Sequence, residues 1–135
     1  MPTLASFAKG HSFPPVSFDL TSDWVNGYVA AVEDEAISQL GADLVPPMAV
    51  AALAIRALLE QSGLPPGTLH AGQELTFAAP VRTGDSLAVT AEIVSRGERA
   101  GWVLMSIDLR VDRGRESVMT GRSTVSFPIG EGVAA

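Results

Sequence analysis

Hydrophobic positions change period once along this chain. From Thr21 to Ser62 they recur at helical spacing, and from Leu69 onward they alternate. The densest apolar stretch is Pro46 to Ser62, PPMAVAALAIRALLEQS. From Leu44 to Ile55 no side chain is charged or an amide, and the first ionic residues, Arg56 and Glu60, stand four apart on one face. A surface helix sets an apolar stripe against a polar back. This one is apolar nearly all round through its first half, which predicts a helix buried on most sides. The apolar run falls short of the roughly 20 residues that span a bilayer. Pro46 and Pro47 suit a helix start, where a missing N–H is harmless and φ is preset. Gly63, with Pro65 and Pro66 beyond it, suits the stop.

Before that helix, residues 1–12 read as an irregular arm. Ser12 to Asp19 is a short extended piece whose two prolines confine it to an edge or a bend. Thr21 or Ser22 caps a helix, with Asp23 where the dipole favours an acid. Trp24, Tyr28 and Ala31 fall on one face, so this helix runs to about Val32. The run Glu33-Asp34-Glu35 follows, then a connection from Ala36 to Val45 of undetermined form.

The alternating half divides into strands. Leu69 to Ala79 sets Leu75 and Phe77 against Glu74 and Thr76, and Pro80 closes it. A turn at Thr83-Gly84-Asp85 leads to Ser86–Arg96, where Leu87, Val89, Ala91 and Ile93 face one way. A second turn, 97–101, leads to Trp102–Val111. Asp112-Arg113-Gly114-Arg115 is a hairpin wanting φ > 0 at Gly114, and Ser117–Phe127 is the last strand. Gly72 and Gly121 lie within strands, where a bulge or bend explains them. Strands joined by short turns pair antiparallel, and one face of the sheet is apolar and needs a cover. Only Pro46–Ser62 is apolar enough to supply it. The expected architecture is α+β: a bent antiparallel sheet wrapped around one long buried helix, formed by residues 1–135 as a single domain. Such a sheet leaves open edges, which predicts a dimer joined edge to edge.

Composition narrows the functions. Apolar residues make up 47% of the chain, which places it among globular sequences. A net charge of −6 with scattered basic residues argues against nucleic acid as a partner. The chain has no cysteine, so thiol catalysis and cysteine–zinc sites are excluded. No signal peptide or membrane span is visible, and the expected location is the cytoplasm.

The order of elements resembles the hotdog fold, and the sequence resembles the MaoC-like dehydratases and R-specific enoyl-CoA hydratases within it. Gly10-His11-Ser12-Phe13-Pro14-Pro15 is similar to that family's opening segment, and Thr21–Asp34 to its first helix. The most specific likeness is Gly72-Gln73-Glu74-Leu75-Thr76-Phe77 followed by Pro80-Val81-Arg82-Thr83-Gly84-Asp85-Ser86-Leu87, similar to the family's recurrent hairpin. The family's hydratase motif is Gly-Asp-x-Asn-Pro-x-His, and the matching stretch here is Glu33 to Gln39. Asp34 falls on the family's Asp, Gln39 falls where its His stands, and Ala36-Ile37 replaces the Asn-Pro turn. A glutamine orients water but does not titrate.

The resemblance implies reversible hydration and dehydration of an acyl thioester carried on coenzyme A or an acyl carrier protein, with no metal or redox cofactor. Asp34 would move the proton and Gln39 would position water. The N–H of Met48 or Ala49, at the start of the buried helix, would polarise the thioester carbonyl. His70 is a further substrate-binding candidate, with a structural or interface role as its alternative. For Asp34 the alternative is a solvated carboxylate in a charge run. Two other functions stay open: a non-catalytic hotdog subunit that binds acyl chains or stabilises a catalytic partner, as homodimer or heterodimer, and a hotdog enzyme of different reaction, such as a thioesterase or a cyclase.

Overall fold

The computed structural model describes residues 2–32 and 44–129. A short 3-10 turn, Leu4–Ser6, precedes β1 (Ser12–Asp19) and α1 (Ser22–Val32). Then come α2 (Pro47–Gln61), β2 (Leu69–Phe77), β3 (Ser86–Arg99), β4 (Trp102–Arg113) and β5 (Glu116–Pro128). The strands form one sheet in the order β1-β3-β4-β5-β2, antiparallel throughout.

That order corrects one expectation. Strands β2 and β3 are not a hairpin: β2 pairs with β5, Leu69 opposite Ser126 through Phe77 opposite Met119. The physical reason lies in residues 78–85, which are too long and too well anchored for a tight turn. Val81 is buried and accepts the Val45 N–H at 2.8 Å, and Leu44 bridges Arg82. The segment thus crosses from the β2 edge of the sheet to β3, next to the opposite edge strand, past the start of α2. At its end Gly84, at φ +97, reverses the chain, and its N–H donates to Leu20. The β4–β5 hairpin behaves as expected, with Gly114 at φ +60. The β3–β4 turn is tighter than expected: β3 runs on to Arg99, leaving Ala100 and Gly101 at φ +53 and +84.

Both sheet edges show their bends in the sequence. Register slips in β1 between Phe13 and Val16, where the prolines stand, and in β2 between His70 and Gly72. Gly121 marks a close approach, since a Cβ there would fall 2.9 Å from the Glu74 carbonyl oxygen.

Helix α2 begins at Pro47 with Pro46 as its N-cap, and it packs on β1, β3 and β4. Ala49, Val50, Leu53, Ala54, Ala57 and Leu58 bury against Ile93, Met105, Ile107 and Leu109. The expectation of burial on most sides is corrected here. Met48 and Ala52 are exposed, and Ile55 and Leu59 are more than one-third exposed, at 37% and 39%. These four stand at i, i+4, i+7 and i+11, so α2 carries a second apolar stripe with no cover among the described residues. The helix rests on a single sheet, which shields one side of it. Gly63 does not end α2 through a left-handed cap. Ser62, extended at φ −151, is the C-cap, and Gly63 instead pairs with the arm, accepting the Leu4 N–H at 3.0 Å. The arm is therefore ordered, with Leu4 and Ala5 buried and their segment held by Arg96, which donates to the Ala5 and Phe7 carbonyls. Thr21 caps α1, its hydroxyl accepting the Trp24 N–H at 3.2 Å.

Candidate functional site

The start of α2 has few free donors. Pro46 and Pro47 have no N–H, and the Ala49 N–H donates to the Pro46 carbonyl at 2.9 Å. Of the two expected oxyanion donors, Met48 therefore keeps its N–H available among the described residues. Its side chain is exposed, while Ala49 is fully buried.

Beside this helix start lies an apolar cavity of about 170 Å³. Pro47 and Val50 of α2, with Val45 just before it, form one wall, Phe77 and Val81 come from the end of β2 and the crossover, and Val118 comes from β5. Among the described residues no charged side chain lines it. Phe77, 40% exposed, stands at its rim. The wall at 80–85 is fixed by a polar knot. The Asp85 carboxylate accepts the Arg82 N–H at 2.8 Å and Arg113 Nη1 at 2.7 Å. Arg113 also donates to the Pro80 carbonyl and pairs with Glu116. The Arg82 N–H, aided by Arg113, holds the Asp85 carboxyl below its ordinary pKa.

Farther along the inner face, Ser123 Oγ donates to Gln73 Oε1 at 2.6 Å, and the Gln73 amide nitrogen is buried without a partner. A larger open groove of about 480 Å³ lies on the outer face, touching Ser12, Glu92, Asp108, Arg110 and Thr120. Its charges are already engaged: Arg122 pairs with Asp108 at 2.7 Å and Arg110 with Asp112 at 2.8 Å. We place the candidate site at the smaller cavity, because only that one meets α2 at its start.

The sequence candidates are not all brought together. Asp34 and Gln39 lie outside the described residues. Met48 and Ala49 stand in the first turn of α2, between Pro47 and Val50, which line the cavity, and are not themselves among its lining residues. His70 is remote from the cavity: it is exposed near the far end of β2, seven residues from Phe77, or roughly 23 Å at about 3.3 Å per residue. Val118 is a cavity residue that sequence reasoning missed. The signal was there, since Val118-Met119 is an apolar doublet in a strand that otherwise alternates.

The strand order and the single helix inside the bend define a hotdog protein of the α+β class. A family model described as the FAS1-like dehydratase domain region matches residues 8–120, and the chain belongs to that family. Solved structures share the fold. The R-hydratase from A. caviae involved in PHA biosynthesis superposes with a TM-score of 0.73 at 24% identity, over 91% of this chain and 98% of that one. The MaoC-like dehydratase from Rhodospirillum rubrum gives 0.70 at 22% identity, over 93% and 96%. The HadBC 3R-hydroxyacyl-ACP dehydratase complex from Mycobacterium tuberculosis gives 0.70 at 23% identity, over 92% and 100%. No curated protein matches. The expected MaoC-like relationship thus holds at the level of family and fold. No helix among the described residues is long and apolar enough to cross a membrane.

Proposed function

We propose that this chain binds an acyl thioester at the start of α2 and adds or removes water across its 2,3-bond. The observation that carries this is an apolar cavity lined by Pro47 and Val50 from the first turn of α2, the turn that also holds the Met48 N–H. An N–H at a helix start stabilises negative charge developing on the thioester oxygen, and an apolar cavity takes the chain beyond it. Membership of a dehydratase family supports the chemistry. In hydration Asp34 accepts a proton from water as the oxygen bonds to C3, and a proton reaches C2. Dehydration reverses both steps. Gln39 orients the water. Coenzyme A or an acyl carrier protein carries the substrate. His70, at the other end of β2, takes no part in this site.

A second function is favoured by two observations: Gln39 at the position of the family's His, and the apolar stripe Met48/Ala52/Ile55/Leu59 on α2, which has no cover among the described residues. It is that of a subunit pairing along the β2 edge with a second hotdog chain, which supplies the full Asp/His pair. The HadBC relative is itself a complex by description.

The test is hydration of crotonyl-CoA followed by loss of the enoyl-thioester absorbance, with wild type and Asp34→Asn. We expect weak turnover that Asp34→Asn abolishes. Full-rate turnover unchanged in Asp34→Asn overturns the role of Asp34. Turnover only after a second hotdog chain is added selects the subunit function.

A further inference from the structure

Strand β5 carries a bulge where it passes the cavity. Val111 pairs with Met119 and Asp112 pairs with Ser117, which leaves Val118 without a partner on β4. In a regular strand neighbouring side chains take opposite faces. Here both are buried, Val118 at 1% and Met119 at 0% exposure. The bulge turns one extra side chain inward, a known use of bulges beside functional sites. It is held from the other side too, because the Val118 carbonyl accepts the Ala78 N–H at 2.9 Å, tying it to the crossover that closes the cavity. Val118 thus lines the cavity together with Val50 of α2 and Phe77.

The volume limits what fits. An engineered apolar cavity of about 150 Å³ holds benzene, six carbon atoms. The present cavity, about 170 Å³, is of that size. We infer that this site takes short acyl chains, of about four to six carbons, and that Val118 sets the limit. The inference rests on the acyl-thioester function proposed above. An acyl carbon beyond the limit must displace packed side chains, and pocket discrimination of one methylene is typically on the order of tenfold or more.

The experiment is calorimetric titration of the purified chain with butyryl-, hexanoyl-, octanoyl- and decanoyl-CoA. These saturated thioesters report binding whether or not the chain is a hydratase. Wild type, Val118→Ala, Val118→Leu and the outer-face control Thr120→Ala are compared, each first checked for a cooperative melt. Expected for wild type and Thr120→Ala is binding that holds to hexanoyl and falls at least tenfold at octanoyl. Val118→Ala moves that fall to a longer chain, and Val118→Leu loses hexanoyl while keeping butyryl. Equal binding of all lengths, or folded Val118 variants with the wild-type length profile, overturns the inference and leaves the acyl-thioester function standing. No binding of any of the four overturns both.

Discussion

Leu53→Asp and Ala52→Asp place the same charge at adjacent residues of α2 and should give opposite results. Leu53 is 2% exposed and belongs to the core cluster, whereas Ala52 is exposed on the outer stripe. Removing a buried leucine side chain costs roughly 2–5 kcal/mol. A carboxylate left there without a partner adds several kcal/mol more, through desolvation or forced protonation. The total, roughly 5 kcal/mol or more, is comparable with the whole stability of an ordinary domain, about 5–15 kcal/mol. Leu53→Asp should therefore show no cooperative melt at room temperature and above. Ala52→Asp gives up only helix propensity, up to about 0.7 kcal/mol, which lowers the Tm by about 2–3 °C in a chain of this size. The assay is far-UV circular dichroism melting with light scattering on the same samples. If Leu53→Asp melts within about 3 °C of wild type, the orientation of α2 on the sheet is wrong. A second result is equally informative. If wild type is a dimer whose melt depends on concentration, and Ala52→Asp keeps its helix signal but is a monomer whose melt does not, the stripe Met48/Ala52/Ile55/Leu59 is covered by another chain.

Two further substitutions test local physics. Asp85→Ala removes the acceptor of the Arg82 N–H and the partner of Arg113, and should cost about 1–2 kcal/mol at pH 7. Because the folded carboxyl titrates below its ordinary value of 3.8, the contribution is full above that pH and fades as pH falls through the folded pKa; thermal melts should show a constant difference from wild type between pH 7 and 5 that shrinks below about 4, and a difference growing with acid would refute the sign. Ala100→Gly relieves a non-glycine residue held at φ +53, and denaturant titration should find it more stable by about 0.5–1 kcal/mol, the left-handed penalty less the entropy glycine adds to the unfolded chain.

Much of this fold is legible in the sequence because each local signal has one physical meaning. The apolar run with its prolines places α2 at Pro46–Ser62, and the structure shortens it by one residue at each end, making Pro46 and Ser62 its caps. Alternation finds the four strands from Leu69 onward, since period two has no other source in segments of this length, while β1 is marked by its prolines instead. It reports which face a residue takes, however, and not which strand lies beside it. That is why the partner of β2 was misjudged: Leu75 and Phe77 face inward whether the neighbour is β3 or β5. The face of α2 that stays open was illegible for a related reason, because a helix that is apolar on all sides has no polar stripe to orient it. At the helix start, Met48 and Ala49 are proposed as donors from the sequence, and only the Pro46–Ala49 hydrogen bond separates them, since it engages the Ala49 N–H. Val118 shows the reverse case. Its doublet with Met119 broke the alternation in plain view, and only the register of β4 against β5 turns that break into a bulge that shapes the cavity.

The proposed chemistry hinges on what one titrating group can do where the family has two. Hydration needs a proton taken from water and a proton delivered to C2. A single carboxylate serves both if it collects the first and hands it on, provided water and C2 lie on the same side of it. Asp34 can fill that role, while Gln39 adds only hydrogen bonds, since an amide neither gains nor loses a proton at working pH. Loss of a general acid or base costs on the order of 10²–10⁴-fold in rate. The proposed oxyanion donor is unaffected by that loss, because the Met48 N–H belongs to the backbone and sits at the helix start whatever residue stands at position 39. A chain of this kind keeps binding and carbonyl polarisation and gives up one of the family's two proton carriers. The two proposed functions then differ in where the proton carriers stand: with Asp34 alone in cis, the chain is a slow hydratase; with a full Asp/His pair supplied by a second hotdog chain, it is the binding half of a fast one.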